Sequence, residues 1–148
     1  KWANHKLVTT VVVFAGTGIF LYAAYSFFGS VLPDRLEGKP PKEVKLLEVA
    51  SKHRQNTHWT VPYLAIILFI YLHEVGVLKD LFWEIAQVPI FVCVGALLHI
   101  IEDGICGKVP LIWRKRKIGI KLFRVGSSWE YFISYTICVA ALYYKFML

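Results

Sequence analysis

His99 and Asp103 stand four residues apart in the stretch LLHIIEDG, residues 97–104. On a helix that spacing places an imidazole and a carboxylate on one face, one turn apart. Imidazole nitrogen and carboxylate oxygen together suit zinc, manganese or a related divalent ion. Alone the pair is weak, because a solvated histidine near a carboxylate at a helix end is the commoner arrangement. Donors of the same kinds recur elsewhere. LPDRLEG supplies Asp34 and Glu37, directly after one long apolar run, and HRQNTHW supplies His53 and His58, directly before the next. Two readings stand side by side: a metal site assembled from distant segments, or a set of ordinary polar residues at the ends of apolar helices.

Four apolar segments have to position these groups: residues 7–28, 59–78, 81–101 and 129–148. Each is close to the ~20 residues a helix needs to cross a hydrocarbon core, and lipid leaves helices as the expected state. Hydrophobic residues make up 57% of the 148, and mean hydropathy is +0.53, above the usual share in soluble domains. The expected fold class is therefore all-α: a polytopic membrane helical bundle of about four membrane segments, with an interfacial polar or metal site. Residues 1–148 form a single integral membrane domain in this reading. Trp59, Tyr63, Trp83, Trp129 and Tyr131 fall near segment ends, where amphipathic rings favour an interface.

The formal charge is +7, and most basic residues fall in two connections, residues 29–58 and 102–128. The Lys/Arg bias assigns both connections to the cytoplasm of a bacterial inner membrane. The expected partners are membrane lipids, with the run WRKRK at 113–117 attracting anionic headgroups, and a homo-oligomer or membrane-protein complex. Nothing resembles a nucleic-acid-binding module, so no nucleic acid is expected. Three cysteines, Cys93, Cys106 and Cys138, give no disulfide framework and read as reduced thiols. Residues 42–55 have apolar positions at helical spacing and fit an amphipathic helix lying at the interface.

The first segment allows two paths. Gly16-Thr17-Gly18 could break it into two shorter helices, or could serve close packing of one continuous helix. The choice decides the place of His5. Across an unbroken helix of about 22 residues, His5 would lie ~33 Å from Asp34; across a broken one the two can meet.

The ordered set Leu32-Pro33-Asp34, His53-Arg54 with Thr57-His58, His99 with Asp103, Val109-Pro110-Leu111-Ile112-Trp113, and Gly126-Ser127 with Glu130 resembles the YdjM-like (LexA-regulated type) membrane-bound metal-dependent hydrolases. His5 resembles an early histidine of that family. The resemblance implies metal-assisted hydrolysis of a phosphoester or lipid-related substrate at the cytoplasmic membrane interface. It implies Asp34, His53, His58, His99 and Asp103 as metal ligands or water-activating groups. His5 is a further implied ligand, and Glu37 the substitute for a family ligand missing here. Arg54 would stabilise phosphate charge, and Glu130 would orient a ligand or act as the base. The implied cofactor is a divalent metal, zinc first, with manganese or magnesium as alternatives. The chain departs from the family where Asp34-Arg35-Leu36-Glu37 replaces an Asp-x-Asp-His pattern, where Trp59 follows Thr57-His58, and around Cys106. Those departures favour a second expectation: a non-catalytic membrane subunit of a larger assembly that keeps the hydrolase scaffold.

Overall fold

The computed structural model describes residues 2–37, 57–76, 83–114, 116–123 and 127–147. The first apolar run is two helices, α1 (Trp2–Thr17) and α2 (Phe20–Gly29). They part at Gly18, whose φ of 73° lies in the left-handed region that costs any residue with a Cβ. The Gly18 N–H donates to the Phe14 carbonyl at 2.7 Å, and Thr17 Oγ1 donates to the Val13 carbonyl at 2.8 Å. The Phe14 carbonyl thus keeps a donor while the chain turns, and α2 returns along α1.

Next come α3 (Leu32–Glu37), α4 (Thr60–Gly76) and α5 (Trp83–Cys106). Two short strands, β1 (Val109–Pro110) and β2 (Lys117–Ile118), then pair antiparallel, with Val109 opposite Ile118. The chain ends in α6 (Ser128–Met147). The Glu130 N–H donates to Ser127 Oγ at 3.4 Å, which makes Ser127 the N-cap of α6 and Glu130 its third residue.

Helix α5 is central: α1, α2, α3 and α4 all pack against it, while α6 packs on α1. The α2–α5 contact is close because its facing residues are small. A Cβ on Gly29 would collide with the Val92 carbonyl, and one on Gly95 with the Ser26 carbonyl. The buried core between α4, α5 and β1 consists of Tyr63, Cys93, Ala96, Ile100 and Val109. The three cysteines are free thiols, Cys93 and Cys138 buried. Outer faces keep large apolar side chains exposed, among them Leu64, Leu68 and Leu72 on α4 and Phe132, Tyr135, Val139 and Tyr143 on α6.

The four-span membrane bundle is not what these helices make. Among the described residues only Ile85–Cys106 is long and apolar enough to cross a membrane, by length and composition. At 1.5 Å per residue, α1 with 16 residues and α2 with 10 reach about 24 and 15 Å, short of a ~30 Å hydrocarbon core. In the second segment the apolar helix is Thr60–Leu72. The fourth is long enough at 20 residues, but its serine, threonine, tyrosines and end charges dilute its apolar character. Ile85–Cys106 lies in the helix against which four others pack, and 33% of its apolar window is buried in the fold. The architecture is a mostly helical domain with one small sheet. The placement in a bacterial inner membrane with cytoplasmic loops rested on four spans and falls with them. The amphipathic helix expected over residues 42–55 lies outside the described residues.

Candidate metal centre

Three separate stretches of chain meet at the C-terminal end of α5. The last turns of α5 present His99, Glu102 and Asp103; the first turn of α3 presents Asp34; the turn before α4 presents His58. That turn is tied down from several sides. Tyr63 Oη donates to the Thr57 carbonyl at 2.9 Å, and Trp59 Nε1 donates to the Ile112 carbonyl at 2.8 Å. The Thr60 hydroxyl donates to the Leu111 carbonyl. The motif Val109–Trp113 therefore acts on the site indirectly, by clamping the start of α4 so that His58 points inward.

His58 Nε2 lies 3.3 Å from Asp34 Oδ1 and 3.3 Å from Asp103 Oδ2. His99 Nε2 lies 3.6 Å from Asp34 Oδ1 and 3.8 Å from Asp103 Oδ2. Donor atoms of Asp34, His58 and His99 all fall within 4.8 Å of one another. Donors bound to zinc at about 2.0–2.1 Å in tetrahedral directions sit about 3.3–3.4 Å apart. The Asp34–His58 and Asp34–His99 pairs are close to that spacing, while the set as a whole spans up to 4.8 Å and must draw together around an ion. Both ring nitrogens of His99 are buried and lack a hydrogen-bond partner. Leaving such a group unsatisfied costs roughly 1–3 kcal/mol, and an ion between the donors removes that cost. Asp34, His58 and His99 thus form a buried His/Asp cluster able to coordinate a divalent metal.

Electrostatics favour the same atoms. Burial works to raise the Asp34 carboxyl, but the His58 and His99 imidazoles beside it hold it well below the usual carboxylate range. Burial works to lower His58, and the carboxylates of Asp103 and Asp34 outweigh it, raising the imidazole above its ordinary value. Asp34 is therefore the anion a cation needs, and a proton on His58 competes for the same place.

Helix α1 closes another side. His5 Nδ1 is hydrogen-bonded to Glu102 Oε2, His5 Nε2 faces Asp103 Oδ1 at 3.8 Å, and the His5 and His99 rings approach to 4.7 Å between centroids. The break at Gly18 is what brings His5 to this end of the fold. Asn4 Nδ2 donates to Glu130 Oε1 at 3.4 Å, and Glu130 is buried on the far side of α1. Glu37 reaches within 3.9 Å of His58 Nδ1, the ring atom that also contacts Thr57 Oγ1 at 3.1 Å. A narrow cleft lined by His5, Lys6, Ser30, Val31, Asp34 and His99 lies beside the cluster.

The chain thus brings His5, Asp34, Glu37, His58, His99 and Asp103 together, with Glu130 one helix away. His53 and Arg54 lie outside the described residues. Two participants escaped the sequence reading. Glu102 had a usable signal, since it sits three residues after His99 and shares its helix face. Asn4 had none, because its role depends on how α1 docks against α6.

No family model, curated protein or solved structure matches this chain. The integral membrane hydrolase acting on a lipid-related phosphoester required a bilayer beside the centre, and so did its non-catalytic membrane-subunit alternative. Both fall with the four spans, because the site is a buried cluster within a helical domain.

Proposed function

We propose that this chain is a metal-dependent hydrolase, with Asp34, His58 and His99 as the ligands of a zinc-class divalent ion. One observation carries the proposal: donor atoms from three distant stretches lie within 4.8 Å of one another, two of them on buried histidines and one on the half-buried Asp34. Two imidazoles and one carboxylate are a ligand complement used at catalytic zinc sites, where a fourth position stays open. The ordered motifs that resemble metal-dependent hydrolases support hydrolysis over simple metal storage.

When bound, such an ion supplies Lewis acidity and makes water acidic near neutral pH. The residues then divide the remaining work. Thr57 contacts His58 Nδ1 at 3.1 Å, which leaves Nε2 directed at the cluster. Asp103 Oδ2, 3.3 Å from His58 Nε2, stands beside the ligands as the acceptor for a proton from the attacking water. Glu130 acts at a distance, holding α1 through Asn4.

Elemental analysis and zinc titration of the purified protein test this reading, alongside His99→Ala and a panel of chromogenic esters. The expected result is one zinc per chain, lost by more than about a hundredfold in affinity in the variant, with ester turnover that chelation abolishes. Wild-type protein that takes up no zinc would end the proposal.

A further inference from the structure

Between Asp103 and Glu130 the chain carries seven Lys or Arg residues and no Asp or Glu. The middle of this stretch forms the β1–β2 hairpin, whose tip is closed by the Arg116 N–H donating to the Trp113 carbonyl at 2.9 Å. Val109 and Pro110 turn inward and are fully buried. Ile112, Trp113, Ile118, Ile120 and Leu122 are instead exposed, Trp113 and Ile120 to 70%. Among them stand the exposed Lys108, Arg114, Arg116 and Lys121. Loose backbone does not explain this exposure. The Ile120 and Leu122 N–H groups donate at 3.0 Å to the Gly104 and Ile105 carbonyls at the end of α5. A Cβ on Gly119 would strike the Gly107 carbonyl, and Trp59 Nε1 holds the Ile112 carbonyl. A contiguous apolar patch on a backbone fixed this firmly marks an interaction surface.

We propose that the hairpin, residues 108–122, docks on an anionic lipid surface. Its basic side chains meet the headgroups, while Trp113 and its aliphatic neighbours enter the headgroup–acyl boundary. Two features select this occupant. A basic segment without acidic counterparts is drawn to anionic headgroups, and long Lys and Arg stems keep their charges at headgroup level while adjacent apolar groups go deeper. Four of the five exposed apolar side chains are aliphatic, which suits acyl chains, whereas a single-stranded nucleic acid calls for aromatic platforms on which bases stack. Docking of this kind lies on the lipid surface and needs no helix to cross it. It needs no bound ion either, so it stands apart from the metal centre.

Co-sedimentation of the full chain with vesicles tests this, comparing phosphatidylcholine alone with phosphatidylcholine containing about a third phosphatidylglycerol. The anionic vesicles should bind at least about tenfold more tightly, and about 0.5 M salt should remove most of that preference. Arg114→Ala combined with Arg116→Ala should weaken binding to the anionic vesicles about 25-fold, roughly fivefold per charge. Trp113→Ala should weaken it about tenfold through lost apolar burial. Tryptophan emission of the wild type should shift to the blue on anionic vesicles, and the shift should shrink in Trp113→Phe. Equal binding to neutral vesicles would overturn the proposal, by assigning the contact to the exposed apolar faces of α4 and α6. So would unchanged binding by the double-arginine variant, or a single-stranded oligonucleotide bound more tightly than the anionic vesicles. If Trp113→Ala does not fold, the arginine variant and the salt dependence decide it. Zinc-free protein should dock as tightly as zinc-loaded protein, so a chain that takes up no zinc refutes the metal centre and not the hairpin surface.

Discussion

His58 is fully buried between the carboxylates of Asp34 and Asp103, and this placement sets how the centre responds to pH. Its imidazole is raised above the ordinary 6.5, so in the metal-free protein it contributes stability that is complete below that value. The contribution disappears as pH rises through the native pKa. Asp34 runs the other way: its carboxyl is lowered from 3.8, so its contribution is present above that value and is lost as pH falls through the native pKa. Metal binding displaces the His58 proton. Zinc affinity should therefore rise by about tenfold per pH unit up to the native pKa of His58 and level off above it. Competition titrations against a chelator across pH 5 to 8, roughly the range in which histidine titrates, measure this. An affinity flat over that range would show that His58 is not a ligand.

At the level of elements, two glycines control whether the donors can meet. Gly18 ends α1 at a positive φ, and Gly18→Ala should cost about 1–2 kcal/mol from backbone conformation alone. The same turn brings His5 to its hydrogen bond with Glu102, so that contact should weaken with it. Gly95 lies where a Cβ would strike the Ser26 carbonyl, and backbone has less freedom to yield than a side chain. Gly95→Ala should cost roughly 1–3 kcal/mol by overpacking the α2–α5 contact. Denaturant unfolding of both variants without zinc measures the two effects. A Gly95→Ala protein as stable as wild type would mean that the two helices do not pack as closely as described.

For the whole molecule, the proposed ion links parts of the chain far apart in sequence: α3, the turn before α4 and the end of α5. An ion that binds the folded chain and not the unfolded one stabilises it by about 2.7 kcal/mol at a hundred times its dissociation constant. Thermal unfolding should thus shift upward with zinc and back with chelator, and His58→Ala should remove the shift. A melting temperature that ignores zinc in wild type would place the ion outside the folded core. The exposed apolar faces of α4 and α6 carry none of the three donors and are unaffected by this linkage.

The donor types were legible in the sequence because spacing along a helix is a local property: His99 and Asp103 share a face whatever surrounds them. The apolar runs were legible for the same reason, and so were the helices they form. Their lengths were not, since Gly16-Thr17-Gly18 is compatible with a continuous helix or a broken one until α2 has something to pack against. A membrane bundle needs four full spans, whereas α1 and α2 are short helices that pack with the others around α5. The tertiary structure alone placed His5 beside Glu102 and Asn4 beside Glu130, residues separated by 97 and 126 positions. Composition carries no trace of such pairs, because they exist only once α1 has docked. His99 and Asp103 began as a weak pair on one helix, and what makes them a centre is the arrival of Asp34 and His58 from elements the local spacing does not describe.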